Sequence, residues 1–338
     1  MRRQTFLYLS VALFLVNCNQ NYPEGALIIS ETDTSYNEDI LSVSRKIQKN
    51  PSLAENYYLR ANAFYFQKDY KLAILDFSTA LQLEPKNPLY RYRLAESYLE
   101  KDSANYEEAS KQLKTAIQIK PDYAEAQFLY AKLLLARQQY DQSEPLLKVL
   151  SKNPDFGTKA QLLRVVAYKE QRDTAKAMAI LDKILIDDPN NYDATMQKAM
   201  FLLTSDIELA SQYVDKALVI DEFSAEALYT KAYILQQSEK FADAEILYNR
   251  VIKINPAHIF AHYNLAVIQA LFDNHDAVID LCGKILDLET DNYKAHTLRG
   301  YAFEQKGNKK AARMDYQAAL NIKPDYEQAL KYLKNLTE

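Results

Sequence analysis

All four histidines of this 338-residue chain fall between His258 and His296. His258 and His262 are one helical turn apart, so a helix would carry both imidazoles on one side. His296 holds the place of His262 in the next copy of a sequence pattern set out below, which lets three imidazoles converge as a zinc or copper ion would require. No cysteine or carboxylate is spaced to complete the ligand set. The sequence therefore predicts no metal and no cofactor, and a metal-dependent site on the His258 to His296 cluster stands as an alternative. Catalysis has still less to draw on. There is no HExxH, no GxSxG and no Walker A loop. Gly283-Lys284 is an isolated pair within an expected helix, and Asp187-Asp188 falls at the end of a repeat, where solvation accounts for it. The chain is expected not to be an enzyme. Arg164, Lys198 and Lys231 share one place in consecutive copies of the pattern and are predicted to form a ladder. Their stems should lie on neighbouring helices while the heads pair with acids such as Asp182.

The pattern that positions these residues is set most clearly between Ala54 and Asn87. Tyr57, Ala61 and Phe64 share one helical face, and Ala73, Phe77 and Ala80 share another. Pro85 then closes the pair. The small residue at Ala61 returns as Ala95, Ala131, Val165, Ala199, Ala232, Ala266 and Gly300. That at Ala73 returns as Ala109, Ser143, Ala177, Ala210, Ala244, Val278 and Ala312. Eight helical hairpins follow, with closing positions 33 to 36 residues apart. A hairpin of this kind cannot bury its apolar stripe alone and needs copies stacked beside it. Leu150, Ile184, Val251 and Ile285 stand where Ala80 stands in the first copy, and their bulk should hold neighbouring helices apart and vary the curvature. Cys282 stands where Phe77 does and is predicted to be a buried core thiol.

This period, with small, aromatic and closing proline positions at fixed offsets, resembles the tetratricopeptide repeat family over residues 54–326. The resemblance implies an all-α, right-handed α-solenoid of about eight helix hairpins. It also implies a ligand groove lined by the first helix of each hairpin. Carried onto this chain, the groove would present Tyr58, Asn62, Tyr65, Phe66, Tyr92, Arg93, Phe128 and Lys132 in the first three repeats. The last three would present Tyr229, Tyr233, Gln236, Phe260, Tyr263, Asn264 and Tyr301. Between them lies an aliphatic stretch of Leu162, Leu163, Val166, Met196 and Met200, whose two methionines could repack around varied partners. The expected ligand is an apolar and aromatic protein or peptide segment. Of the family's clamp for a C-terminal carboxylate, Asn62 matches one position, but Tyr58 and Arg93 replace the lysine and asparagine it needs, so that mode is not expected here.

The two ends are read separately. Arg2 and Arg3 precede an apolar run from Phe6 to Val16, too short to span a bilayer, so residues 1–17 are predicted to be a secretion signal. Leu15-Val16-Asn17-Cys18 resembles a bacterial lipobox, which implies lipidation of Cys18. With Asn19 after it, the resemblance implies sorting to the outer membrane of a Gram-negative envelope. Residues 18–36 read as a flexible tether, within which Ala26-Leu27-Ile28-Ile29 is an apolar patch that either docks onto the first repeat or into the groove or stays part of a disordered linker. Residues 37–53 read as a half repeat capping the first hairpin, and residues 327–338 as a closing helix with Ala329, Leu330, Leu333 and Leu336 on its inner face. With both ends covered, the solenoid is expected to be complete. The formal net charge is -4, and losing the two leader arginines takes it to about -6, which disfavours nucleic acid as a partner. The sequence thus predicts a lipid-anchored scaffold binding another envelope protein, with a glycan-binding or nutrient-uptake lipoprotein as the alternative. The absence of tryptophan weighs against the latter.

Overall fold

The computed structural model describes residues 22–30, 33–101 and 105–336, and its regular elements there are eighteen α-helices. The predicted signal segment and Cys18 lie outside the described residues. After α1 (Glu38–Lys49) come four hairpins, α2 (Ala54–Phe66) with α3 (Tyr70–Leu83), α4 (Pro88–Lys101) with α5 (Tyr106–Ile119), α6 (Ala124–Ala136) with α7 (Tyr140–Leu150), and α8 (Gly157–Glu170) with α9 (Thr174–Asp187). Four more follow, α10 (Tyr192–Leu202) with α11 (Ile207–Ile220), α12 (Ala225–Gln237) with α13 (Phe241–Ile254), α14 (Ile259–Leu271) with α15 (His275–Leu288), and α16 (Tyr293–Gln305) with α17 (Lys309–Ile322). The chain then runs into α18 (Glu327–Asn335). Among the described residues no helix is long and apolar enough to cross a membrane.

Local chemistry sets the helix ends. The second helices α3, α9, α11 and α17 begin at Asp69, Asp173, Asp206 and Asn308, whose side chains accept from the backbone N–H three residues on. Such caps satisfy donors that the first turn leaves orphaned. Among the described residues, the turn before a second helix passes through one left-handed residue in six hairpins. It is Gly307 (φ 78°) in the last but Lys68, Gln138, Arg172, Glu239 and Asp273 elsewhere, at φ 55–63°. Helix crossings close on small side chains. Ala61, Ala95, Ala131, Val165, Ala199, Ala232 and Ala266 are fully buried, as are Ala73, Ala109, Ser143, Ala177, Ala210, Ala244, Val278 and Ala312.

Contacts divide the chain into two compact units, one ending at Ala167 and one beginning at Tyr168. In the first, Tyr57, Phe64 and Phe77 form a core with Ile40 and Ile47 of α1. The largest fully buried side chain is Arg60, 1% exposed, whose guanidinium makes a two-pronged pair with Asp76 (2.6 and 2.8 Å). It also donates to Ser44 Oγ (3.1 Å) on α1 and to the Leu27 carbonyl (2.6 Å). Gln48 Nε2 donates to the Ile29 carbonyl (3.0 Å), and the Ile29 side chain is buried. Within the patch, Ala26, Leu27 and Ile29 thus dock on the first repeat, one of the two placements expected from sequence. The Leu27 carbonyl supplies an acceptor that the buried Arg60 guanidinium requires, and Tyr22, Ala26, Leu27 and Ile29 join the first core.

In the second unit, Tyr248, Cys282 and the α14 side chains Leu265 and Ile268 belong to one continuous cluster. At its end α18 buries Ala329 and Leu336, while Tyr332 and Leu333 pack against Tyr316. Leu330, expected on the inner face, is 47% exposed, because its side chain points a third of a turn beyond Ala329.

Candidate partner-binding surfaces

The predicted groove residues separate into packed tiles and exposed tips. In the first unit, Tyr58 stacks on Tyr90 (4.9 Å, 26°) and touches Phe77 (5.9 Å), so its ring cements α2 to α3 and α4. Asn62 donates to the carbonyl of Tyr58 (2.9 Å), a bond within its own helix. Tyr65 packs edge-on against Phe66 and Tyr70, with the Arg93 guanidinium 6.0 Å from its ring, and burial pushes its hydroxyl up to about 12. Tyr92 donates to Glu96 (2.7 Å) and lies against Tyr123, while Arg93 pairs with the other oxygen of Glu96 (3.0 Å). Phe128 packs on Phe156 (5.3 Å). Lys132 is exposed, as is Phe66, whose ring is 74% open to solvent.

In the second unit Met196 is 2% exposed and belongs to the α10–α11 core, so the expected methionine pair reduces to Met200, 46% exposed. The two are four residues apart, yet Met196 lies over the crossing closed by Ala210 and Val214. Tyr229 packs between Tyr248 (5.8 Å) and His258 (4.9 Å). Asn264 Nδ2 donates to the hydroxyls of Tyr229 (3.2 Å) and Tyr248 (3.0 Å), and Tyr248 donates to Gln236 (2.7 Å). Asn264 and Gln236 are thus spent within the scaffold. Tyr263 is largely buried, its hydroxyl pushed up to about 12 by that burial. Tyr301 packs against His275 and Tyr332. The exposed tips are Tyr233, at 38%, and Phe260, at 69%. The sequence reading missed Leu271 and Phe272, 59% and 62% exposed at the end of α14. Leu271 holds the place of Phe66 in its own repeat, which was the available signal.

The cations are neutralised where they stand. Arg164 pairs with Glu144, Lys198 with Asp182, and Lys231 with Asp215 and Ser211. Two further members, Arg60 with Asp76 and Arg299 with Asp315, occupy the same place in the first and last repeats. Burial alone would raise the Asp315 carboxyl, but hydrogen bonds from Arg299 and His296 outweigh it and hold it below the ordinary carboxylate value.

The histidines are engaged separately and do not converge. His258 Nδ1 accepts from the Ala261 amide (3.1 Å) as the cap of α14, a role that needs a neutral ring. Its pKa is lowered, by burial first and by His262 next. His262 Nε2 meets the Pro256 carbonyl (2.9 Å), and His296 bonds Asp315 and the Thr290 carbonyl. Among the described residues no group of three His, Cys, Asp or Glu could hold a metal ion. Cys282 is fully buried, with its thiol pushed up to about 12 by desolvation, so thiolate chemistry is closed to it.

With this arrangement in view, the repeats identify the class. Residues 54–87, 102–164, 159–191, 225–258 and 293–326 match tetratricopeptide repeat families. The chain belongs to the tetratricopeptide repeat family. No curated protein matches it. Among solved structures it is similar to a tetratricopeptide repeat protein from Parabacteroides merdae, at 17% identity and TM-score 0.43, over 84% of this chain and 99% of that one. It is also similar to the MamA protein, at 23% identity and TM-score 0.45, over 51% and 97%. A third likeness is to the first such domain of Spaghetti (RPAP3), solved bound to the HSP90 peptide SRMEEVD, at 20% identity and TM-score 0.33, over 33% and 90%.

Proposed function

We propose that the chain is a non-catalytic scaffold that binds an apolar, aromatic segment of another protein along the first helices of its repeats. The observation that carries this is the run of solvent-exposed apolar side chains on successive first helices of the second unit. Met200 on α10, Tyr233 on α12, and Phe260 and Leu271 on α14 all stand clear of the core. Exposing such a row costs solvation free energy and adds nothing to folding, which is the mark of a contact surface. We further propose that Cys18 is lipidated and holds the scaffold on the outer membrane of a Gram-negative envelope, with the partner retained beside it. The support is the residue pattern of positions 1–19.

A photo-crosslinking side chain placed at Phe260 or Tyr233, in intact cells, tests the first part. One envelope protein should be captured, and Tyr233→Ala with Phe260→Ala should cut that capture at least tenfold at unchanged helicity. Capture that ignores both substitutions would overturn the reading. Cys18→Ala should move the protein to the soluble fraction, and retention with the membrane would remove the anchor.

A further inference from the structure

At the end of the second unit, α14, α16 and α18 enclose a cavity of about 210 Å³. This is below the roughly 300 Å³ at which pockets begin to take a whole small molecule, and it suits a single side chain. The walls mix apolar carbon from Leu271, Leu298 and the rings of Tyr263, Tyr301 and Tyr332 with polar atoms of Thr297, Gln328 and the phenols. The lining contains one cation, Lys294, and no carboxylate.

Thr297 and Gln328 are satisfied within the scaffold, while the pocket phenols still have protons to give. Tyr326 donates to Gln328 Oε1 (2.9 Å), and Gln328 Nε2 donates to the hydroxyl of Tyr332 (3.2 Å). That hydroxyl has its own proton left to give. Among the described residues it meets no acceptor, and neither do the hydroxyls of Tyr263 and Tyr301. Burial raises both of those phenols, so they remain protonated at neutral pH. Lys294 is exposed on the first turn of α16 and forms no ion pair among the described residues. Of the acids near Tyr301, Glu304 accepts from Tyr316 (2.6 Å) and Asp273 lies beside His275 (3.8 Å). Donors with one ammonium at the mouth of a cavity partly walled by apolar carbon suit an apolar side chain with a carboxylate beside it.

We propose that this pocket fixes the register of the partner. It takes one bulky apolar residue of an internal peptide segment, and Lys294 and the pocket phenols receive the side-chain carboxylate of the Asp or Glu next to it. The carboxylate belongs to a neighbouring residue, because Lys294 stands in water at the rim while the tyrosine rings line the interior. The proposal rests on the reading of the first-helix surface as the binding face.

The test uses fluorescein-labelled 12-residue peptides, amidated at the C-terminus and identical except for a central Phe-Glu, Phe-Gln or Ala-Glu pair. Anisotropy is titrated with the full chain. Phe-Glu should bind at least tenfold tighter than either of the others. Lys294→Gln should weaken Phe-Glu to the level of Phe-Gln while leaving Phe-Gln unchanged, with far-UV dichroism as the check on folding. Equal binding of Phe-Glu and Phe-Gln, equal weakening of both by Lys294→Gln, binding only by a peptide with a free C-terminus, or no binding by any probe would each overturn the proposal. If these fail while Tyr233→Ala with Phe260→Ala still abolishes partner capture, the pocket assignment alone falls. Loss of that capture effect would bring down the binding face itself.

Discussion

Two helical glycines of the second unit make opposite predictions from the same substitution. Gly300 lies in α16 at the crossing with α17, and a Cβ there would stand 2.7 and 2.8 Å from ring carbons of Tyr316 and 3.2 Å from the Asp315 Cβ. The Tyr316 ring is fully buried, hydrogen-bonded to Glu304, and packed against Tyr332, so it has little room to withdraw. Gly283 lies in α15 and has nothing within 4 Å of the same position. Gly283→Ala should stabilise by about 0.5–1 kcal/mol, the helix-propensity difference. Gly300→Ala gains the same amount but overpacks the crossing by roughly 1–3 kcal/mol. The net is a loss of about 0.5–2 kcal/mol. The lower end is set by the sixth repeat, where Ala232 and Tyr248 hold the equivalent places and both are fully buried, so the fold can seat a methyl there if the ring moves. Urea unfolding followed at 222 nm, with slopes compared, separates the two variants. Hydrogen exchange across α16 and α17 locates the effect. A Gly300→Ala protein as stable as the Gly283→Ala protein would refute the close-approach argument.

Further predictions concern charge and backbone. Arg60→Ala leaves Asp76 buried and unpaired and should cost about 3–5 kcal/mol, with proteolysis of residues 22–30 accelerated. Adding Asp76→Ala should recover part of the loss, and a further fall would show the pair is not the cause. The carboxyl of Asp315 is held below its ordinary value in the folded chain, so its contribution is complete above about pH 4 and drains away as pH falls through the folded value. Exchange protection of α17 should drop in that range and lose its pH dependence in Asp315→Asn. Glycine at Lys68, Gln138, Arg172 or Glu239 should stabilise by about 0.5–1 kcal/mol each by relieving left-handed backbone. Thermal melts of the single variants check this.

The repeat was legible because its causes are local. Small residues at Ala61 and Ala73 recur where backbones must approach, and each repetition reinforced the reading. The pairing of Lys198 with Asp182 was likewise available from spacing alone. Met196 is buried and Tyr229 is engaged by Tyr248, His258 and Asn264 because helical register assigns a side chain to a face, whereas burial at the edge of that face depends on the neighbouring hairpin. The patch Ala26 to Ile29 could not be placed from its own residues. Its acceptor role depends on Arg60, 33 positions away, and on the desolvation of that guanidinium. The cavity under α18 needed Tyr332 in place of Leu330, a difference of about 200° around a nine-residue helix.

The cations reveal how one residue shift redirects an ion pair. Asp76 and Asp315 each precede the buried ring of their second helix, Phe77 and Tyr316, and each pairs with the first helix of its own hairpin. Asp182 and Asp215 each follow the equivalent core residue, Leu181 and Val214, and pair with the first helix of the next hairpin. Two positions along a helix turn a side chain by about 200°, so the carboxylate passes from one flanking helix to the other while the cation keeps its place. Repeat four is thus tied to repeat five and repeat five to repeat six, while the first and last repeats are tied within themselves. Asp315→Asn should cost about 1.5–3 kcal/mol through loss of the two-pronged bond to Arg299. Adding Gln317→Asp, which restores the charge at the position used by the inner repeats, should recover none of it, because Gln317 is exposed on the side away from Arg299. Urea midpoints for the single and double variants decide the matter, and recovery in the double variant would mean that charge near Arg299, not the direction of the carboxylate, sets the stability of the last repeat.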